Sequence, residues 1–112
     1  MDVSYQTLEP ELMLMRLEGR LDAATSPEVK TALHRLIGQG HLQIIIDLQK
    51  VPFIDSSGLA ALVSGLRLAR EKGGNIILSG VQAQAQIVFR LTMLDHVFST
   101  YATPEDAHQS LT

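Results

Sequence analysis

The residues most able to do chemistry lie together at Asp55-Ser56-Ser57-Gly58, where one carboxylate and two hydroxyls follow an apolar run. Apolar residues at helical spacing begin immediately afterwards, which predicts a strand that ends at this cluster and a helix that starts there. The first turn of a helix has N–H groups without intrahelical partners and a partial positive charge, so it suits a phosphate or another small anion. A serine at this position can therefore be a helix cap, a nucleophile or a phosphate acceptor.

Helix capping accounts for only part of this cluster. Asp and Ser are both favoured caps, but a cap needs one residue and the sequence supplies Asp55, Ser56 and Ser57, with the small Gly58 beside them. A surplus of polar residues where a strand of an α/β sheet ends is typical of a ligand or partner site. On these residues alone, a simple cap and a functional site are both open.

A catalytic role for Ser56 has little support. The nucleophile elbow of hydrolases requires Gly-x-Ser-x-Gly, whereas Ile54 and Asp55 precede this serine. Spacing ties none of the four histidines to it, and His34 and His41 lack the short spacing of metal ligands. No phosphate-binding Gly-x-x-x-x-Gly-Lys loop occurs either. We therefore expect no catalytic residue, no metal and no cofactor.

A second polar residue of interest, Asp22, follows the second predicted strand in the segment Gly19-Arg20-Leu21-Asp22. It can be an aspartate of the turn or an early cap of the next helix. It can also belong to the same site as Ser56, because parallel strands end at one edge of a sheet and both residues follow strand ends. The second interpretation requires the two loops to lie side by side.

Composition limits the classes of function. The 112 residues are enough for one domain, spanning 1–112, with its own hydrophobic core. The net charge is −3, and the densest basic group, Arg67, Arg70 and Lys72, is typical of a solvated helix face rather than a nucleic-acid surface. There is no cysteine, no secretory pattern at the start, and no apolar run of the roughly 20 residues that a membrane helix needs. We expect a cytoplasmic protein that binds neither nucleic acid nor membrane.

Five stretches have the alternation or the continuous apolar character of β-strands. They span residues 3–7, 12–17, 42–48, 76–78 and 97–101. The first two are joined by a turn at Pro10 and should form a hairpin. The third contains Ile44-Ile45-Ile46, and three β-branched residues in a row predict a strand that is buried on both faces. The last should be a short edge strand.

Four stretches have helical spacing, and they begin near residues 25, 57, 83 and 103. At the first start, Thr25 and Glu28 match a capping box. The residues expected to face inward are Val29, Ala32, Leu33, Leu36 and Ile37; Leu59, Leu62, Val63, Leu66 and Ala69 or Arg70; Ile87, Val88, Leu91 and Leu94; and Ala107 and Leu111. The alternation of strands and helices predicts an α/β domain with a mixed, mostly parallel sheet of about four to five strands and four helices.

Segments along the whole chain match those of a known family in order and spacing. The most specific is Asp55-Ser56-Ser57-Gly58-Leu59, preceded by Phe53-Ile54. The others are Gly19-Arg20-Leu21-Asp22, Ile44-Ile45-Ile46-Asp47-Leu48 and Met93-Leu94-Asp95-His96-Val97-Phe98. With these segments the chain resembles the STAS domain family, and within it the bacterial anti-sigma factor antagonists.

The resemblance implies a regulatory binding protein rather than an enzyme. Such proteins bind an anti-sigma factor that is also a serine kinase, and this binding frees the sigma factor. The kinase phosphorylates the serine that follows the aspartate, which is Ser56 here, and the phosphate ends the binding. A serine phosphatase then restores the protein.

The resemblance also implies a binding surface. Asp22 matches a position near the phosphoserine in the partner-facing surface, and Ser57 matches a second hydroxyl that is better suited to capping than to accepting phosphate. The expected partner-binding residues are Asp22, Asp55, Ser56, Ser57, Gly58 and Leu59. A STAS domain can instead be a non-switching binding subunit of a transport or larger signalling assembly, in which Ser56 is only a cap. Monomer and dimer are both open.

Overall fold

The protein consists of a five-stranded sheet flanked by helices. Its computed structural model describes residues 1–111. The strands are β1 (Asp2–Glu9), β2 (Leu12–Glu18), β3 (Gln43–Lys50), β4 (Asn75–Ser79) and β5 (Thr100–Tyr101). The helices are α1 (Ser26–Gly38), α2 (Ser56–Glu71), α3 (Ala83–Leu91) and α4 (Pro104–Gln109), with a 3-10 turn at Leu94–His96. The sheet order is β1-β2-β3-β4-β5; β1 and β2 are antiparallel and the later pairs are parallel. The predicted α/β class and the opening hairpin are confirmed.

The alternation of side chains along β3 divides the core into two layers. Ile44 and Ile46 lie in the larger layer, beneath α1, α2 and α3. Ile45 lies in the smaller layer on the opposite face, where Ala107 of α4 packs. All three isoleucines are buried, so the prediction of a strand covered on both faces is confirmed.

Helices α1 and α2 pack on the larger layer and against each other. The predicted inner stripe of α1 is buried throughout, and α2 buries Leu59, Leu62, Leu66 and Ala69 while Arg70 stays exposed. Gly65 lies at the helix–helix contact, since a Cβ atom there would be 2.7 Å from Leu33 Cδ1. The absence of a side chain at residue 65 therefore lets Leu33 pack directly against the α2 backbone.

The predicted capping box at the start of α1 is wrong. Thr25 is the N-cap residue, but its side chain makes no bond to the helix. Its Oγ1 atom accepts a hydrogen bond from the Asp22 N–H (3.0 Å) and donates one to the Arg20 carbonyl (2.8 Å). The turn before the helix already uses this hydroxyl. Glu28 lies in the first turn, where a carboxylate complements the helix dipole.

The predicted inward face of α3 is correct only in part, since Val88 and Leu94 pack against the core. Ala85 and Phe89 are buried, whereas Ile87 is 50% exposed and Leu91 is 80% exposed. The Phe89 ring packs edge-on against the Phe98 ring, with centroids 5.9 Å apart. This large aromatic contact decides the rotation of the helix, because Ala85 and Phe89 are four residues apart and can share an inward face as well as Ile87 and Leu91 can.

The end of the chain differs from expectation in two details. Strand β5 contains only Thr100–Tyr101, since Phe98 turns into the core before pairing with β4 begins. Thr103 caps α4 by accepting a bond from the Asp106 N–H (3.1 Å), and Ala107 packs as predicted. Leu111 does not pack: it lies beyond the end of α4 and is 40% exposed.

Candidate functional site

Two loops are joined at the carboxyl edge of the sheet. Leu21 and Ile54 form an isolated parallel bridge. The Leu21 N–H donates to the Phe53 carbonyl (2.9 Å), and the Asp55 N–H donates to the Leu21 carbonyl (3.2 Å). Asp22 and Asp55 each follow a residue of this bridge. The structure therefore brings the two acidic segments together, as the hypothesis of a shared site requires.

Gly58 makes this arrangement possible. A Cβ atom at residue 58 would be 2.6 Å from the Leu21 carbonyl oxygen and 2.7 Å from Leu21 Cγ. Real side chains do not tolerate such distances to backbone, so any larger residue would push α2 away from the β2–α1 loop. Gly58 is buried, and its contribution to the site is this close packing.

Asp55 is the residue that caps α2. Its Oδ1 atom accepts a hydrogen bond from the Gly58 N–H (3.0 Å), and its carbonyl accepts one from the Leu59 N–H (3.0 Å). Asp55 is extended, with φ −110° and ψ −173°, as a residue before a helix should be. The prediction that Ser57 serves as a cap is wrong, because the preceding carboxylate already does so and Ser57 lies within the first turn.

The two serines differ in accessibility. Ser56 is the first helical residue and is exposed, whereas Ser57 is half-buried. Gly58 is buried and Leu59 is only 3% exposed. Of the consecutive residues 55–59, a rigid partner could therefore reach Ser56 most easily and Leu59 hardly at all.

Asp22 forms a compact turn with Thr25. The Asp22 N–H donates to Thr25 Oγ1 (3.0 Å), and Asp22 Oδ1 accepts from the N–H groups of Ala24 (3.0 Å) and Thr25 (3.3 Å). The reciprocal bonds resemble those of a capping box but occur before the helix. The interpretation of Asp22 as a turn residue is thus correct, and its second carboxylate oxygen, Oδ2, lies 3.7 Å from Arg20 Nε.

One contact at the site was missed from the sequence. The Arg20 guanidinium lies 4.0 Å from the centre of the Phe53 ring, and Arg20 Nε is 3.7 Å from Asp22 Oδ2. Because Leu21 pairs with Ile54, the residues before them are also neighbours. Placing the Arg20 guanidinium over the Phe53 ring requires the register of the Leu21–Ile54 bridge, which patterns in a single sequence do not reveal.

Three histidines have partners elsewhere. His34 Nε2 is 2.9 Å from Ser64 Oγ between α1 and α2, His96 lies beside Asp95, and His108 beside Glu9. Within residues 1–111, no group of three or more His, Asp or Glu side chains is arranged to hold a metal ion. Over the same residues, none of the helices combines the length and hydropathy of a bilayer-spanning segment.

Comparison with known proteins identifies the family of this chain. A family model for the STAS domain matches residues 5–107. An anti-sigma-B factor antagonist of Listeria monocytogenes is 30% identical over 79 residues, which are 70% of this chain and 69% of the relative.

Solved structures share the fold. A crystal structure from Thermotoga maritima has a TM-score of 0.89 at 22% identity, covering 96% of this chain and 92% of that one. The phosphorylated form of the Bacillus cell fate determinant SpoIIAA has a TM-score of 0.80 at 23% identity, covering 99% and 100%. From the family model, the relative and the fold together, we conclude that this chain belongs to the STAS domain family, in the branch of the anti-sigma factor antagonists.

Proposed function

We propose that this protein is an anti-sigma factor antagonist whose binding to its partner is switched off by phosphorylation of Ser56. The position of Ser56 carries the proposal: it is exposed, on the first helical residue of α2, directly after the acidic cap Asp55. A hydroxyl placed there can enter the active site of a kinase while the domain stays folded. The name of the Listeria relative and the phosphorylated state of the Bacillus structure support this proposal.

The proposed cycle has two protein partners. The first is an anti-sigma factor that is also a serine kinase; the unphosphorylated protein sequesters it and thereby frees a sigma factor in the cytoplasm. The second is a serine phosphatase that removes the phosphate and restores binding. In this cycle the protein is the substrate and binding partner of enzymes, and its own residues carry out no catalytic step.

Charge explains why a phosphate at Ser56 would end the binding. The two joined loops carry the acidic Asp22 and Asp55 and the basic Arg20, with Arg20 Nε 3.7 Å from Asp22 Oδ2. A phosphate adds about −1.5 to −2 charges, so this small surface would go from about −1 to about −3. The N–H groups and dipole of α2 can hold that phosphate in place. A partner that fits the nearly balanced surface would then meet both repulsion and added bulk.

The expected contact surface consists of Asp22, Asp55, Ser56 and Ser57 at the joined loops, with Gly58 and Leu59 beneath them. Gly58 and Leu59 were expected to contact the partner, and their burial gives them a supporting role in the proposal instead. Gly58 keeps α2 against Leu21, and Leu59 fixes the first turn to the core.

Phosphorylation of single-site variants tests the proposal. The chain is incubated with ATP and the serine kinase encoded nearest to its gene, and phosphate is located by intact mass and peptide mapping. We expect one phosphate on the wild type, none on Ser56→Ala, and one on Ser57→Ala, which is the matched control. Phosphorylated wild type should bind the kinase more than about tenfold more weakly than unmodified protein, a change of at least about 1.4 kcal/mol.

Two results would contradict the proposal in different ways. Phosphate on Ser56→Ala that maps to Ser57 would move the acceptor by one residue. Tight binding of a partner by a chain that is never phosphorylated would favour the alternative, a non-switching subunit of a transport or larger signalling assembly.

A further inference from the structure

The side chain of Gln84, on α3, makes a double hydrogen bond to the backbone directly before the proposed phosphorylation site. The Ile54 N–H donates to Gln84 Oε1 (2.9 Å), and Gln84 Nε2 donates to the Ile54 carbonyl (3.0 Å). One carboxamide thus satisfies both backbone groups of a residue 30 positions away. We call this pair of bonds the Gln84 clamp.

The Gln84 clamp completes a strand-like arrangement. In an extended chain, successive residues direct their backbone groups to opposite sides. The Phe53 carbonyl and the Asp55 N–H bond Leu21 on one side, so the backbone groups of Ile54 face the other side, where Gln84 bonds them. The carboxamide of Gln84 occupies the place that a neighbouring strand would take.

Gln84 is itself held in place. Its neighbour Ala85 is buried in the core, as is Phe89 one turn later. At the start of α3, Gln82 Nε2 donates to the Gln49 carbonyl (2.7 Å) and attaches the helix to the end of β3. Because the helix is fixed at both points, its carboxamide can restrain Ile54 rather than follow it.

We propose that Gln84 is a positioning residue for phosphorylation of Ser56, an inference that rests on the proposed function. With Leu21 on one side and Gln84 on the other, the peptide at Ile54 has both edges bonded. The direction in which Asp55 and Ser56 leave the strand is then fixed. Phosphoryl transfer needs the acceptor oxygen in line with the phosphate, so a fixed direction favours the chemical step.

Three variants separate the Gln84 clamp from the rest of α3. Gln84→Leu removes both hydrogen bonds at similar volume. Gln84→Glu retains an acceptor for the Ile54 N–H but sets a second carboxylate oxygen against the Ile54 carbonyl. Gln86→Leu is the matched control, because Gln86 lies on the same helix and its Nε2 bonds the Val81 carbonyl (2.9 Å), away from the site.

Hydrogen exchange and kinase kinetics measure the two halves of the proposal. In Gln84→Leu the Ile54 N–H should exchange faster, by about fivefold to tenfold for one lost hydrogen bond, with the Ile45 N–H unchanged. In Gln84→Glu, which keeps an acceptor for that N–H, exchange at Ile54 should change less. With the kinase that phosphorylates the wild type, kcat should fall on the order of tenfold to a hundredfold, and KM should change little because the exposed surface is retained. Gln86→Leu should match the wild type in every measurement.

Each of the following results would contradict a specific part of the proposal. Unchanged exchange at Ile54 in Gln84→Leu would show that the Gln84 clamp does not form. Faster exchange with wild-type kcat would show that the clamp does not position Ser56. If loss of the clamp unfolds Gln84→Leu, faster exchange at Ile45 will reveal it, and the kcat of Gln84→Glu, which loses the bond to the Ile54 carbonyl, then decides. If the wild type takes no phosphate, the proposed function fails and the positioning role with it, whereas exchange at Ile54 still judges the clamp.

Discussion

The Asp55 side chain has two properties that matter at the site. As a cap it accepts the Gly58 N–H through Oδ1, and as a carboxylate it brings negative charge next to Ser56. Capping requires only an acceptor oxygen, which an asparagine offers equally well. Repulsion of a neighbouring phosphate requires the charge. Substitution at this one residue can therefore distinguish the structural role from the electrostatic one.

We expect Asp55→Asn to keep the stability of the wild type within about 0.5 kcal/mol, and Asp55→Ala to lose about 1 kcal/mol because the Gly58 N–H loses its partner. Urea denaturation measures both. With less charge near the phosphate, the loss of partner affinity on phosphorylation should also be smaller in Asp55→Asn than in the wild type. Equal destabilisation of the two variants would mean that the charge, and not the cap bond, stabilises α2.

At the scale of an element, α3 is the helix whose orientation matters most for the site. Its buried side carries Phe89, which packs on Phe98, and its neighbouring side directs Gln84 towards Ile54. Its outer side leaves Ile87 and Leu91 exposed. The rotation that buries Phe89 is thus the same rotation that lets Gln84 reach the loop before Ser56.

The orientation of α3 predicts opposite results for two residues on that helix. Phe89→Ala should destabilise the protein by about 3–5 kcal/mol, because it leaves a cavity in the larger core layer. Leu91→Ala should change stability by less than about 0.5 kcal/mol, since that side chain is already in water. Thermal and urea unfolding of both variants provide the measurement. A large cost at Leu91 would contradict the rotation described here.

The same helix shows where prediction from sequence stops. The buried stripe of α1 was predictable because its apolar residues define a single helix face. The strand at Ile44-Ile45-Ile46 was predictable because both of its faces are apolar there. In α3 two faces fitted, and contacts with Phe98 and Ile54, remote in sequence, decide between them. Within the site, Ser56 and Asp22 could be identified from local polar residues. The stacking of Arg20 on Phe53 could not, because it depends on the Leu21–Ile54 register.

At the scale of the whole molecule, a charge at the site should act locally. The protein measures 32 × 26 × 24 Å, and at physiological ionic strength the Debye length is about 8 Å. The field of a phosphate on Ser56 is therefore largely screened before it reaches the far ends of the strands. The core side chains beneath the first turn of α2 include the apolar Leu21 and Ile54, which carry no charge that would respond to the phosphate.

Phosphorylation should accordingly leave the fold unchanged. In amide spectra of the phosphorylated protein, we expect shift changes confined to residues 19–26 and 53–60, with the hairpin of β1 and β2 and helix α4 as internal controls. Global unfolding should occur at a similar urea concentration before and after modification. Widespread changes through β4 and α4 would indicate a conformational switch rather than a local one.

The missing side chain at Gly58 has one more consequence. The α2 backbone at Gly58 packs directly against the Leu21 carbonyl. Because the two loops are in such close contact, a displacement of one should displace the other. A partner that binds only the Asp22 turn could consequently change its affinity when Ser56 on the adjoining helix is phosphorylated, without contacting the phosphate.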